Sequence, residues 1–239
     1  MICAALPFVR FVQMTKGNYT VFWKDSQIRA FMATIAVLVL IAAFTLTQIF
    51  PHHPEQAFRE ALFNIVSIMT GTGYASADYG EWGRAATVVF FFTMFIGGCA
   101  GSTSCGIKIF RFRVMFENAR VQIQELIRPN SVLVPRFNGR PIESHVTDAV
   151  MSYFFLFAMV FGVLAFLLTL TGLDMTTALS GAATAVANVG PGLGDIIGPS
   201  GNFQPLPDTA KWLLSAGMLL GRLELFTVLV LFTRRFWVA

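Results

Sequence analysis

Two glycine-bearing strips, Met69-Thr70-Gly71-Thr72-Gly73-Tyr74-Ala75 and Ala187-Asn188-Val189-Gly190-Pro191-Gly192, each follow an apolar helical run too short to cross a membrane. The runs Ala57 to Met69 and Met175 to Ala187 climb about 20 Å, against a hydrocarbon core of about 30 Å. Segments of this kind go in and come back out. Unpaired backbone carbonyls at membrane depth are tolerated only where protein buries them or a water-filled cavity receives them. The doubling of the unit therefore predicts a pore.

The remaining spans agree with a membrane setting. Hydrophobic residues make up 55% of the chain and its mean hydropathy is +0.66, which places it in the membrane class. Ile28 to Phe50, Ala149 to Leu170 and Leu213 to Phe232 are long enough to span; Trp82 to Ile96 is long enough only if it continues through the glycines after it. Met1 to Phe8 has neither a basic flank nor a small-residue cleavage site, so it reads as the tail of a truncated helix and not as a secretory signal. Cys3, Cys99 and Cys105 form no CxxC pair, and we expect small buried thiols, not a zinc site or a disulfide framework.

Charge orients the spans. Arg10, Lys16, Lys24 and Arg29 precede the first; Lys108, Arg111, Arg113, Arg120, Arg128, Arg136 and Arg140 follow the second; Arg234 and Arg235 follow the last. The positive-inside rule turns these regions to the cytoplasm. The loops between them carry Arg59, Arg84 and Lys211 against Glu55, Glu60, Asp78, Glu81, Asp174, Asp195 and Asp208, an acidic outer face where a cation arrives.

A weak internal repeat follows. Setting Gly73 on Gly190, an offset of 117, places Ala61-Leu62 on Ala178-Leu179 and Asp78 on Asp195; after an insertion of seven residues, Met94 and Gly97 meet Met218 and Gly221. Both copies start inside, dip a short helix and a strip in from outside and return inside, so they are parallel repeats. The expected division is 1–27, the end of a preceding helix with a cytoplasmic connection; 28–128, a pore repeat with a broken second helix; 129–145, a cytoplasmic linker marked by Pro129, Pro135 and Pro141; and 146–239, a second pore repeat.

The strips suit an alkali cation. Glycine lets the backbone turn carbonyls toward one axis, and rings of carbonyls replace the hydration shell of potassium. The partially negative C-terminal end of each short helix favours a cation further. The competing reading, small residues serving close helix packing, explains neither the shortness of both helices nor the doubling.

The cluster after Ile96 has its own logic. A helix from Trp82 to Ile96 climbs about 22 Å, leaving Gly97, Gly98, Gly101 and Gly106 within the membrane. The helix is expected to break there and the broken backbone to line the cavity. Gly101 to Gly106 has the GxxxxG spacing of a phosphate loop, but Ile107 stands where the lysine is required and no strand precedes it. Arg222 and Glu224 sit mid-span; an arginine there is costly in a membrane and is expected to face the bundle interior, where a salt bridge with a neighbouring carboxylate is the structural reading. His52 and His53 read as solvated loop residues. No nucleophile, base and orienting group converge, so no enzymatic activity is expected.

Four stretches resemble one family: Thr70 to Ser76; Gly97-Gly98-Cys99-Ala100-Gly101-Ser102-Thr103-Ser104-Cys105-Gly106-Ile107-Lys108; Asn188-Val189-Gly190-Pro191-Gly192-Leu193-Gly194; and Gly221-Arg222-Leu223-Glu224-Leu225-Phe226. They are similar to the Trk/Ktr superfamily of potassium uptake proteins, most closely its TrkH-like branch, in which four parallel helix, pore-helix, helix repeats surround one pore. The resemblance implies an all-α membrane protein of two such repeats with re-entrant pore loops, the C-terminal half of a potassium-channel-like pore. It puts the selectivity filter on Gly71, Thr72, Gly73 and Tyr74 and on Asn188, Val189, Gly190 and Pro191. It makes the segment containing Gly97, Gly98, Gly101, Ser102, Thr103 and Gly106 an intramembrane gate, and Arg222 a positive charge just below the filter. The implied substrate is potassium, with no bound cofactor. The implied partners are the two missing pore repeats, a second complete subunit in a homodimer and a cytosolic nucleotide-binding regulatory protein, with no nucleic acid. The implied location is the bacterial cytoplasmic (inner) membrane, crossed several times.

The sequence departs from the family at Gly71, where threonine is expected, and at Ser104-Cys105, where glycines are usual. The first is expected to loosen one filter wall, the second to stiffen the loop. Two repeats do not close a four-repeat pore, so the chain is expected to be a fragment or to be completed by another polypeptide. The alternatives to potassium uptake are a truncated, non-conducting membrane assembly protein and a sodium-permeable member of the same superfamily.

Overall fold

The computed structural model describes residues 1–49, 54–128, 133–223, 227, 230–231 and 234–237. The expectations placed on Phe50, His52, His53, Pro129, Glu224, Leu225, Phe226 and Phe232 lie outside these residues. A 3₁₀ turn, Ile2–Ala5, leads to the short helices α1 (Phe8–Thr15) and α2 (Val21–Lys24) and then to the long apolar α3 (Ser26–Ile49). Next come α4 (Pro54–Met69), α5 (Gly83–Phe95), α6 (Ile109–Ile127), the strands β1 (Arg136–Phe137) and β2 (Arg140–Pro141), α7 (Ser144–Leu170), α8 (Met175–Ala187) and α9 (Asp208–Arg222), with a last helical turn at Arg234–Trp237.

The 24 residues of α3 and the 27 of α7 suffice to cross the hydrocarbon core, whereas the 16 of α4 and the 13 of α8 do not. Each short helix packs beside a long one, α4 against α3 and α8 against α7, and each is followed by an irregular strip and a returning helix, α5 or α9. The order long helix, short helix, strip, helix thus occurs twice.

Boundaries moved where caps act. Proline occupies the first position of α4, where its missing N–H costs nothing, and α4 starts there instead of at Ala57. Helix α8 matches its expected range because the Asp174 carboxylate accepts from the Thr177 backbone N–H at 3.1 Å at one end and Asn188 turns left-handed, φ +53°, at the other. Helix α9 begins five residues before Leu213 and runs to Arg222, which stands in its last turn, with Leu223 as the C-cap.

Two differences come from backbone contacts. Residues 1–8 form no continuous helix tail: the Ala4 and Ala5 carbonyls accept the N–H groups of Thr103 and Cys99. The linker, read as an irregular proline-marked stretch, contains a hairpin turned by Asn138-Gly139, both at positive φ as its tight turn demands. The Asn138 side chain accepts the N–H of Ser26, tying the hairpin to the start of α3.

Two apolar clusters form the interior. One joins α3, α4 and α5 and takes in Ala183, Ala187, Val189 and Leu193 from the second half; the other joins α7, α8 and α9 and takes in Ile107 from the first. Phe95 meets Phe161 edge-on at 5.2 Å between ring centroids and Phe157 at 6.1 Å, closing the seam between α5 and α7.

Candidate functional site

The two strips run beside each other, and their hydrogen bonds repeat at the offset of 117 found in the sequence. The N–H of Gly71 bonds to the Ile68 carbonyl at 3.0 Å, and that of Asn188 to Ala185 at 3.2 Å. Likewise Thr72 bonds to the Ser67 carbonyl at 2.9 Å and Val189 to Thr184 at 3.1 Å. Two unrelated local sequences therefore hold one backbone form, in which the end of a short helix gathers the strip's N–H groups beneath it.

A side chain from each short helix then clamps the strip's far end. Asn64, fully buried, accepts the Ser76 N–H at 3.1 Å and donates to the Ser76 hydroxyl at 3.0 Å. Ser180, on α8, accepts the Leu193 N–H at 3.0 Å and donates to the Leu193 carbonyl at 3.1 Å. Neither residue was singled out from sequence. A buried polar side chain on an otherwise apolar short helix was the available signal, since such groups keep their place only when hydrogen-bonded.

Gly73 is the point of closest approach. Its φ is +77°, and a Cβ there would lie 2.5 Å from the Val189 carbonyl oxygen and 3.3 Å from the Pro191 ring. A Cβ on Gly190 would lie 3.5 Å from the Gly73 Cα. Gly71, Thr72, Gly73, Asn188, Val189, Gly190 and Pro191 thus lie along one seam between the strips. Thr72, Tyr74 and Gly190 are exposed among the described residues, Tyr74 at 72%. The glycine at 71 has a physical reason: residues 71 and 188 are equivalent and both left-handed, at +70° and +53°, a conformation strained for β-branched threonine.

Below the seam, the chain leaves its helix at Ile96, as the glycine cluster led us to expect. The N–H of Gly97 bonds to Ile107 and that of Ile107 to Phe95, so residues 97–106 form an excursion pinched at its neck. The fit is tight enough that a Cβ on Gly97 would collide with the Cys105 carbonyl. Gly98 and Gly106 are buried in the neck, whereas Gly101 and Thr103 are exposed and Ser102 is half-buried at the tip. Ser104, the departure from glycine, braces this neck by accepting the buried Gly98 N–H at 3.0 Å.

Arg222 reaches the same loop. Its guanidinium Nη1–H donates to Cys105 Sγ at 2.9 Å, a pairing across 117 residues, and among the described residues no carboxylate pairs with it. It is exposed on this chain instead of enclosed by the bundle. The preceding turn is fixed to the second strip: the Asn188 amide donates to the Met218 carbonyl at 3.0 Å, and a Cβ on Gly221 would strike the Val186 carbonyl. Filter-like seam, glycine loop and Arg222 therefore form one connected constellation. Among the described residues no cluster of three or more His, Cys, Asp or Glu side chains is arranged to hold a metal ion.

A family model described as a cation transport protein, TrkH, matches residues 8–237. The chain belongs to the TrkH family. It is 49% identical over 238 residues to the Trk system potassium uptake protein TrkI of Halomonas elongata, a match covering 99% of this chain and 48% of that protein. Identity to the Trk system potassium uptake protein TrkH of Vibrio parahaemolyticus is 38% over 220 residues, or 90% of this chain and 44% of the relative. The crystal structure of the potassium transporter TrkH from the same organism superposes with a TM-score of 0.88 at 35% identity, covering 99% of this chain and 51% of that one. The chain thus spans about half the length of the TrkH-family relatives it matches, and its mostly helical membrane fold is theirs.

Proposed function

We propose that this chain forms half the wall of a potassium pathway through the bacterial cytoplasmic membrane. In this reading residues 28–128 and 146–239 are its two pore repeats, joined by the linker at 129–145 and preceded by a cytoplasmic connection at 1–27. The observation that carries the reading is the seam of two strips with equivalent hydrogen bonds, whose exposed backbone faces the side where further repeats would stand. Gly71 to Tyr74 and Asn188 to Pro191 supply carbonyl oxygens that stand in for water around a dehydrated potassium ion. Two more repeats complete the ring, and potassium is the substrate this reading takes from the relatives' description as potassium uptake proteins.

The loop at 97–106 obstructs the pathway from below, and Arg222 holds it through Cys105 while placing a positive charge under the seam. Passage is physical movement of an ion, with no covalent chemistry. Complete subunits pair as a homodimer, and the exposed Arg113 and Arg120 of α6 present a basic inner face to a cytosolic nucleotide-binding regulatory protein.

Uptake of radiolabelled potassium by cells lacking other potassium transporters, carrying the chain with its completing repeats, tests the reading. Uptake is expected with the unsubstituted protein. Gly73→Ser sets a side chain against the Val189 carbonyl and is expected to lower potassium-over-sodium preference about tenfold or more while the protein still inserts. No uptake by an inserted, complete assembly would return the chain to a non-conducting role, and equal uptake of sodium would make it a sodium-permeable relative.

A further inference from the structure

The equivalence of the strips breaks at a buried hydroxyl on the short helices. At the same place on the two short helices stand Ser67 and Thr184, and their carbonyls do the same work, accepting Thr72 and Val189. Their hydroxyls do not. Thr184 Oγ1 accepts the Gly190 N–H at 2.9 Å, whereas Ser67 Oγ is buried and unpartnered, and the Gly73 N–H reaches only the already occupied Ser67 carbonyl at 3.4 Å. The peptide between Val189 and Gly190 is thus anchored through its N–H, which fixes the direction of the Val189 carbonyl. The peptide between Thr72 and Gly73 lacks that anchor; on the first strip a hydroxyl pair, Thr72 Oγ1 and Thr70 Oγ1 at 2.8 Å, holds the Thr72 side chain but not the Gly73 N–H.

We propose that Thr184 is a positioning residue for ion selectivity: its hydroxyl locks the second strip, and the equivalent Ser67 leaves the first strip free to adjust. The inference rests on the transport reading above. A carbonyl that turns by a few tens of degrees changes from an ion ligand to an obstacle, so one buried hydrogen bond on its own peptide governs how sharply a cation is recognised. Strips of unequal stiffness divide the task, the fixed one setting the cavity and the adjustable one closing around the ion.

The test uses the complete four-repeat assembly in liposomes, with potassium and sodium fluxes measured on the same preparation. Thr184→Val keeps the side-chain shape and removes the acceptor; the potassium-over-sodium ratio is expected to fall about five- to tenfold. Thr184→Ser restores a hydroxyl and is expected to recover the ratio to within about threefold of the unsubstituted protein. Ser67→Ala removes a hydroxyl that bonds to nothing and is expected to leave the ratio unchanged. A ratio unmoved by Thr184→Val, or lowered equally by Thr184→Ser or Ser67→Ala, would overturn the assignment.

Amide hydrogen exchange supplies a readout independent of transport. The Gly190 amide is expected to exchange about tenfold more slowly than that of Gly73, and Thr184→Val to erase the difference. Should the valine variant fail to reach the membrane, equal exchange of the two amides in the unsubstituted protein overturns the proposal. Absence of any potassium flux in the unsubstituted assembly would instead overturn the transport reading, and the exchange rates would still decide whether Thr184 holds the strip.

Discussion

Tyr79 is 1% exposed, stacked on Phe90 at 4.2 Å between centroids and edge-on to Trp82, and its hydroxyl is buried without a hydrogen-bond partner. Burial pushes this phenol above its ordinary value, and the neighbouring Asp78 carboxylate adds to the rise, so the ring stays neutral at any physiological pH. The ring area stabilises the outer segment between the first strip and α5; the oxygen costs about 1 to 3 kcal/mol of desolvation. Tyr79→Phe keeps the stacking and removes the orphaned oxygen, so it is expected to leave thermal stability unchanged or raise it by about 1 kcal/mol, read as a melting shift in detergent. Tyr79→Ala, which empties a fully buried aromatic site, is expected to cost about 3 to 5 kcal/mol by the same measurement. A loss with phenylalanine as large as with alanine would mean that the hydroxyl has a partner.

The short helix α8 shows why some elements were legible and others were not. Its start is set by Asp174, whose carboxylate is held below its ordinary value first by the Thr177 side chain and then by the backbone N–H groups of Thr177 and Thr176. A carboxylate with a lowered folded-state value contributes stability that is present above its ordinary value of 3.8 and is lost as pH falls through the lower, folded value. Asp174→Asn, which still caps but no longer titrates, is expected to flatten the acid limb of a stability–pH curve below about pH 4; Asp174→Ala is expected to cost about 1 kcal/mol at neutral pH. Caps, glycines and apolar lengths are local signals, which is why the α8 range, the break after Ile96 and the shortness of α4 and α8 could be read from sequence. The Asn138-Gly139 turn carried an equally local signal but was absorbed into a proline-marked linker. What stayed hidden was non-local: Arg222 on Cys105, Asn64 on Ser76, Ser180 on Leu193, and the Ala4 and Ala5 carbonyls on the glycine loop. Backbone acceptors have no side-chain signature, and the Arg222 contact joins the end of α9 to the loop between α5 and α6, far apart in the chain.

At the scale of the whole molecule, the surface asks for more chain. The spanning windows of α3 and α7 have mean hydropathies of 2.4 and 2.5, yet only 28% of each is buried. Lipid accounts for much of that apolar face, where Phe44 of α3 and Phe155 and Phe166 of α7 are exposed. In the transport reading Thr72, Tyr74 and Gly190 lie at membrane depth, and lipid would not account for their exposure there, because backbone without its own ladder is not tolerated against hydrocarbon. Those residues are expected to meet the completing repeats across an ion. The consequence is measurable as linkage: a ligand that binds only the folded assembly stabilises it by RT ln(1 + [L]/Kd), about 2.7 kcal/mol at a hundredfold excess over Kd. Melting of the complete assembly is therefore expected to rise with potassium and much less with sodium at equal ionic strength. The chain by itself, with half of each carbonyl ring, is expected to show no difference between the two salts. Equal stabilisation of chain and assembly by potassium would place the ion somewhere other than the seam between the strips, and equal stabilisation by both salts would reduce the effect to screening of charge.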